Sequence, residues 1–278
     1  MKSGSRRLSI ALARFAMNEW KALNARITLF PSAPPASPLP TALELYRHVW
    51  GGDPDSFQKQ QNALLPTVAQ GRREGMMTNC FAHPTRIDLN LSPVPPPTGT
   101  AEPELVFIQD TDQLYTELKR IIKVLAEGII SSSISRIALG LQFVAVKRDS
   151  LEANKTLIQT MPQQYRMKVT NEEDFIFQVN RPRKSSKVES VKMNFITKWS
   201  VENVQVISMA ALAGGAPMSA GAPWIKNFLA ASVSFDNNTF ADFARRPLTP
   251  GEQSQLLDES LAEASVMQKS FGLNIEGF

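Results

Sequence analysis

The sequence predicts an α+β fold, in which an antiparallel meander sheet is covered by helices and a smaller strand-rich region lies at the amino terminus. Three observations support this class. Residues 136–147 have the pattern of one long, well-buried strand, and four more alternating segments follow within residues 174–235. Segments with helical periodicity and recognisable caps precede and follow these strands. Strands in series with helices on either side are typical of α+β domains.

The segment 136–147 organises the prediction, because its side chains alternate between two faces. One face is entirely apolar and consists of Ile137, Leu139, Leu141, Phe143 and Ala145. The other begins with Arg136, continues through Gly140 and Gln142, and ends with Val144 and Val146. This pattern predicts a strand covered on at least part of both sides.

The amino-terminal elements are shorter. Residues 6–16 alternate loosely, residues 17–23 fit either a turn or a short helix, and residues 25–30 form a strand-like segment. Five prolines between positions 31 and 40 interrupt regular structure. Thr41 is expected to cap a short helix that ends at Gly51. After the weakly patterned residues 58–70, residues 76–82 and 85–91 predict a hairpin.

A proline block at residues 93–97 is the best candidate for a linker, since polyproline segments are semi-rigid spacers. The sequence therefore divides into an amino-terminal strand-rich α+β region (1–92), a linker (93–103) and a carboxy-terminal α+β domain (104–278).

The carboxy-terminal domain begins with a short strand at 105–108. Asp110 is expected to cap the next helix, with Gln113 completing a capping box and Gly128 ending the helix. A helix at 151–160 follows the central strand. Strands are then predicted at 174–180, 188–199, 204–210 and 228–235. Thr249 is the expected cap of a final helix that ends at Gly272.

Composition indicates a globular protein without a membrane span. Of the 278 residues, 43% are hydrophobic and 20% are charged, and no apolar run reaches the length of a transmembrane helix. Arg14 interrupts the amino-terminal apolar segment, which argues against a signal peptide. Cys80 is the single cysteine, which excludes an intramolecular disulfide and favours the reducing cytoplasm.

The charge is mildly basic overall and unevenly distributed. The net charge is +4, which permits an acidic partner without requiring one. Residues 1–26 contain six cations against one carboxylate, whereas residues 241–278 contain three cations against six carboxylates. The two ends are therefore suited either to attract each other or to contact opposite partners.

The sharpest surface feature is a basic segment at 181–187, expected to be a loop between two strands. Its cations, together with Lys192 on the following strand, form a candidate nucleic-acid-binding set: Arg181, Arg183, Lys184, Lys187 and Lys192. A basic hairpin tip of this kind can neutralise phosphates. The alternative interpretation is an ordinary solvated hairpin end.

A loop rich in glycine, alanine and proline at 214–223 is the candidate protein interface. The residues expected to contact a partner are Pro217, Met218, Pro223 and Trp224, because aromatic and methionine side chains are enriched at interface cores. The loop contains no phosphate-loop spacing. A plain connection between strands is the alternative.

Three residues suggest a cysteine nucleophile with a base and an orienting acid: Cys80, His83 and Asp88. The simpler interpretation is a buried free thiol beside a turn histidine. Two histidines and one cysteine disfavour a transition-metal site, and no motif indicates a cofactor. The carboxylate groups Asp110/Asp112 and residues 172–174 fit helix and strand starts better than paired catalytic acids.

The carboxy-terminal sequence Ser234-Phe235-Asp236-Asn237-Asn238-Thr239, followed by Leu256-Leu257 and an acidic helix, resembles the closing pattern of a sporadically distributed bacterial protein family of unassigned function. The resemblance covers about 40 residues. It implies a bacterial accessory protein, part of a defence or toxin–antitoxin cassette, and it carries no functional residue.

These observations lead to three hypotheses. The first is a non-enzymatic subunit that binds another protein through a sheet edge or the loop before Trp224. The alternative is a nucleic-acid-binding protein that uses the basic segment. The third, weaker alternative is a cysteine-dependent enzyme. The oligomeric state stays open.

Overall fold

The structure is a computed structural model that describes residues 20–32, 39–59, 66–95, 104–128, 134–167, 175–208, 224–240 and 246–273. Within these residues the elements in chain order are β1 (Lys21–Pro31), α1 (Ala42–Trp50), β2 (Ser56–Gln58), β3 (Thr67–Arg73), β4 (Met76–His83), β5 (Arg86–Pro93), α2 (Thr111–Ala126), β6 (Ile134–Val146), α3 (Ser150–Thr160), a 3-10 turn (Gln163–Tyr165), β7 (Ile176–Lys184), β8 (Lys192–Ser208), β9 (Trp224–Thr239) and α4 (Pro250–Ser270).

The nine strands form one antiparallel sheet in the spatial order β2-β3-β4-β5-β1-β6-β9-β8-β7. Two meanders, β2 to β5 and β7 to β9, flank the central pair β1 and β6. Each half repeats the same sequence of elements: a central strand, a helix, a run of neighbouring strands and a closing helix. The predicted α+β class with an antiparallel meander sheet is confirmed.

The regions 1–92 and 104–278 both contribute strands to this single sheet, because β1 pairs with β5 on one side and with β6 on the other. The hydrogen-bonded ladder therefore joins the two regions that the proposed linker separates in the sequence. The division at 93–103 into separate folding units stays a prediction.

The helices lie on one side of the sheet. Tyr46 of α1 hydrogen-bonds Thr78 of β4, and Asn237 of β9 donates to the carbonyl of Ser260 in α4. Tyr165, just after α3, contacts the ring of Phe177 in β7. The apolar face of β6 points to the same side and is buried in the main core together with Leu45, Leu118, Leu157 and Leu257. The alternation predicted for residues 137–145 is thus confirmed.

Local signals placed most helix ends correctly. Thr41 and Thr249 each form a full capping box with a glutamate three residues on, and Asp110 accepts a hydrogen bond from the Gln113 backbone. The predicted capping box at Asp110 is only half formed, however. The Gln113 side chain instead donates to Glu74 in the β3–β4 turn.

Several predicted strand bounds are wrong because pairing with distant strands decides them. The segments 188–199 and 204–210 were predicted as two strands, but β8 runs unbroken from Lys192 to Ser208 against β9. Residues 105–108 form only an isolated bridge, between Ile108 and Ala22. The weakly patterned residues 58–70 contain the end of β2 and the start of β3. Strand β1 begins at Lys21, within the segment assigned to a turn or helix.

The ion pair between Arg246 and Glu252 at the start of α4 predicts a pH dependence of stability. Hydrogen bonds from Arg246, supported by the backbone N–H of Thr249, lower the pKa of Glu252 from 4.5 to about 2. The ionised Glu252 carboxylate therefore stabilises the folded protein at pH values above 4.5, its pKa in the unfolded state. This stabilisation is lost as the pH falls towards 2. Since Arg246 is exposed to solvent, screening keeps this contribution to the free energy of unfolding small.

Thermal unfolding of the wild type and Arg246→Gln at pH values above and below this window measures the contribution. The variant should be less stable at neutral pH, and its stability should fall less steeply on acidification. Parallel pH profiles for the two proteins would contradict the assignment.

Candidate functional site

The side of the sheet opposite the helices is the candidate functional surface, and we refer to it as the helix-free face. Strand alternation and register place on it every second residue of the strands, for example Arg26, Asp88, Gln142, Asp236 and Lys198. No helix within the described residues packs on this side. Four small side chains at one end are buried: Val144, Ser200, Ala230 and Ser232.

Networks of polar side chains cross the strands on this face. Asn180 donates to Asn194, Asn194 donates to Asn238, and Asn238 donates to Asp236, at 3.0, 3.1 and 3.1 Å. These four residues lie on β7, β8 and β9. Cross-strand hydrogen bonds of this kind fix side-chain positions on a solvated sheet surface.

A second network is centred on Gln142 of β6. Asn24 donates to its carbonyl oxygen at 2.7 Å, and its amide nitrogen donates to Glu202 at 2.8 Å and to Ser232 at 3.2 Å. Near the other end of the same strands, Thr28 donates to Asp88 at 2.6 Å, and Arg86 pairs with Asp88 at 2.8 Å. The face is therefore ordered by its own amides, hydroxyls and ion pairs.

A shallow trough of about 550 Å³ lies between these networks, over strands β5, β1, β6 and β9. Gly140 forms its floor. Arg26 of β1 and Asp236 of β9 stand on either side of Gly140, because each is its direct partner in the ladder. The other polar lining residues are Asn24, Asn90, Ser92, Gln142 and Ser234.

The helix-free face is the basic side of the sheet. Counted without the projecting ends of β8 and β9 (residues 203–208 and 224–229), it carries eight cations: Lys21, Arg26, Arg72, Arg86, Arg136, Lys184, Lys192 and Lys198. Three carboxylates oppose them: Asp88, Glu202 and Asp236. This excess of five cations exceeds the net charge of +4 for the whole chain.

The predicted basic loop at 181–187 is corrected by the structure, because residues 181–184 belong to β7 and pair with β8. Alternation then sends its cations to opposite sides. Arg183 contacts Glu263 at 3.0 Å and Glu259 at 3.7 Å, and Arg181 contacts Glu263 at 3.5 Å. Both arginines therefore bind the acidic helix α4 instead of forming a free hairpin tip.

The remaining cations of that set have different positions. Lys184 of the edge strand β7 and Lys192 of β8 are direct ladder partners on the helix-free face. Lys187 lies in the exposed turn between these strands. Only these three of the five predicted nucleic-acid-binding residues are placed for contact with a polyanion.

The three candidate residues of a cysteine enzyme do not converge. Cys80 is completely buried on the helix side, where burial raises the pKa of its thiol and the charge of Asp88 adds to the rise. His83 and Asp88 lie on the opposite, helix-free face. His83 contacts Thr85 in its own turn, and Asp88 accepts from Thr28. A thiolate nucleophile with an adjacent base is not formed.

The other candidate residues lie at the start of a helix or a strand or outside the described residues. Asp110 caps α2, as expected. Residues 172–174, Pro217, Met218 and Pro223 lie outside the described residues, and Trp224 is the first residue of β9. Within the described ranges, no three histidine, cysteine, aspartate or glutamate side chains are grouped to hold a metal ion. No helix in that part of the chain is long and apolar enough to cross a membrane.

Both edges of the sheet carry features that disfavour pairing with another strand. Strand β2 is three residues long. Strand β7 contains Pro182, which lacks an N–H, followed by the charged residues Arg183 and Lys184. Short strands, proline and charge are the usual protection of sheet edges. The edges are therefore poor surfaces for strand addition.

Sequence reasoning missed the trough. The predicted alternation of 136–147 had already placed Gly140 and Gln142 on the less apolar face, and a glycine inside a strand is a known signal of close approach by another molecule. The partners Asn90, Arg26 and Asp236 could not be assigned without the register of four strands. Comparison of the chain with protein-family models, curated proteins and solved structures found no match.

Proposed function

We propose that the protein is a non-enzymatic nucleic-acid-binding protein of the cytoplasm and that the helix-free face is its binding surface. The observation that carries the proposal is the separation of charge across the sheet. Eight cations and three carboxylates lie on the helix-free face, whereas the acidic helix α4 packs on the other side.

The chemistry of the face suits this ligand. Lysine and arginine side chains neutralise phosphates and release condensed counterions, which gives affinity without sequence specificity. Amides and hydroxyls of the cross-strand networks supply donors and acceptors for sugars and base edges. The proposed site differs from the hairpin predicted from the sequence. It does not include Arg181 and Arg183, and its cations are distributed over several strands.

A titration of labelled single-stranded and duplex oligonucleotides tests the proposal. Fluorescence anisotropy at about 50 mM and about 200 mM salt should show affinity that falls steeply with salt. Several cations acting together predict a loss of at least tenfold over this range. Absence of binding at the lower salt concentration would remove the proposal.

A second candidate is the protein-interaction subunit of a bacterial complex, including a defence or toxin–antitoxin accessory. One observation favours it. Residues 203–208 of β8 and 224–229 of β9 pair with each other beyond the last partners of β6 and β7, so they project as a two-stranded arm. Ile225 on this arm is 54% exposed. An interaction through the arm predicts no affinity for polyanions, so the same titration separates the two candidates.

A further inference from the structure

Gly140 has no structural requirement to be glycine. Its backbone is not among the positive-φ residues. A Cβ built on it would lie 3.9 Å from the carbonyl oxygens of Arg26 and Phe235, which is ordinary van der Waals contact. Glycine in the middle of a strand destabilises a protein by about 0.5–1 kcal/mol relative to alanine. This position therefore costs stability without easing any packing or backbone constraint.

What glycine does provide is space on the helix-free face. The row of direct ladder partners across the sheet is Asn90, Arg26, Gly140 and Asp236, on β5, β1, β6 and β9. A side chain at position 140 would project into the trough between Arg26 and Asp236. Glycine inside a strand often marks a place where a ligand approaches the backbone closely.

The two walls of the trough have complementary chemistry. Asp236 is exposed and only accepts hydrogen bonds, and one of its oxygens is already held by Asn238 at 3.1 Å. Arg26, whose side chain is 46% exposed, only donates, and its Nε lies 4.0 Å from the Asp88 carboxylate on β5. Their Cα atoms are two strand spacings apart, about 10 Å. A flat ring that presents two neighbouring donors to Asp236, with acceptors on an adjoining edge, fits between them.

We propose that the trough binds an unpaired guanine base, an inference that rests on the proposed nucleic-acid function. Guanine presents the N1–H and N2–H donors together on one edge, towards the Asp236 carboxylate. Its O6 and N7 acceptors lie on another edge, where an arginine fork makes the most common specific contact with this base. The ring lies over the peptide of Gly140.

The other bases match less well. Adenine places the N1 acceptor beside its N6 donor, and uracil or thymine has a single N–H flanked by two carbonyl oxygens. Each would aim an acceptor at Asp236. Cytosine likewise places its N3 acceptor beside its single N4 amino group. Guanine is therefore the only base that presents two neighbouring donors to the carboxylate.

The test uses labelled oligothymidylates that carry one central guanine, cytosine or adenine, in deoxyribose and ribose form. The wild type should bind the guanine oligomer about tenfold more tightly than plain oligothymidylate, as expected for one bidentate base contact. Gly140→Val and Asp236→Asn should reduce this ratio to about one. Gly251→Val is the matched control, because Gly251 lies in α4 with open space around its Cβ, and it should keep the tenfold ratio.

Protein stability is measured alongside. Gly140→Val should unfold at the same or a higher temperature than the wild type, since valine favours strands, so a lost preference cannot be ascribed to unfolding. A preference for another base, or a guanine preference that survives Gly140→Val, would refute the guanine site while leaving the basic face intact. No binding of any oligomer at low salt would refute the nucleic-acid function itself.

Discussion

Replacing Glu259 by alanine is expected to lower the free energy of unfolding by about 1–3 kcal/mol. Glu259 lies on α4 and is only 6% exposed. Its carboxylate accepts from the Ser185 hydroxyl at 2.5 Å and from the Ser186 backbone N–H at 3.1 Å, and Arg183 lies 3.7 Å away. Removing the carboxylate leaves a buried hydroxyl and a backbone donor without their acceptor, whereas the half-exposed Arg183 keeps Glu263 at 3.0 Å.

Chemical denaturation of three variants checks this prediction. Glu259→Gln keeps one acceptor and should cost less than alanine. Glu263→Ala, one turn later on α4, removes a more exposed partner of Arg181 and Arg183 and should cost about 1 kcal/mol or less. Equal losses for Glu259→Ala and Glu263→Ala would show that burial of the carboxylate does not govern this contact.

Neutralising Lys184 and Lys192 together should weaken nucleic-acid binding about tenfold. It should also reduce the slope of the logarithm of affinity against the logarithm of salt concentration by about two. Both side chains lie on the helix-free face. The double variant Lys184→Gln/Lys192→Gln would therefore remove two of the proposed phosphate contacts. The free energy of unfolding should change little, because exposed charges contribute little to stability.

Arg181→Gln/Arg183→Gln is the matched double variant, since the four residues belong to the same β7–β8 hairpin. It removes the ion pairs with Glu259 and Glu263, so it should lower stability and leave the salt slope of binding unchanged. A larger loss of binding for the arginine variant than for the lysine variant would restore the hairpin tip as the contact surface. It would also overturn the assignment of the helix-free face.

The predictions that succeeded concern local features. The alternation of residues 136–147, the β4–β5 hairpin and the caps Thr41, Asp110 and Thr249 all depend on residues within a few positions of each other. A strand's alternation and a helix's cap are set by covalent geometry and nearby hydrogen bonds. Such local signals can therefore be predicted from a single sequence.

The predictions that failed concern contacts between distant segments. The basic residues 181–187 appeared to be one feature, yet the strand places neighbouring arginine and lysine side chains on opposite faces. The sheet separates Cys80 and Asp88 in the same way, and Cys80 is the buried free thiol that the simpler interpretation expected. Closeness in sequence does not imply closeness on a sheet. A strand places adjacent side chains on opposite faces, and the sheet brings together side chains that are remote in sequence.

The sequence by itself determined that this chain forms an α+β sheet protein, because the hydrophobic period and the capping residues are local properties. Only the tertiary structure decided that Asn90, Arg26, Gly140 and Asp236 form one row and that the cations outnumber the carboxylates on the face without helices. The physical reason is strand register. It is set by packing of the whole core, and a shift of one residue would turn every one of these side chains to the other side.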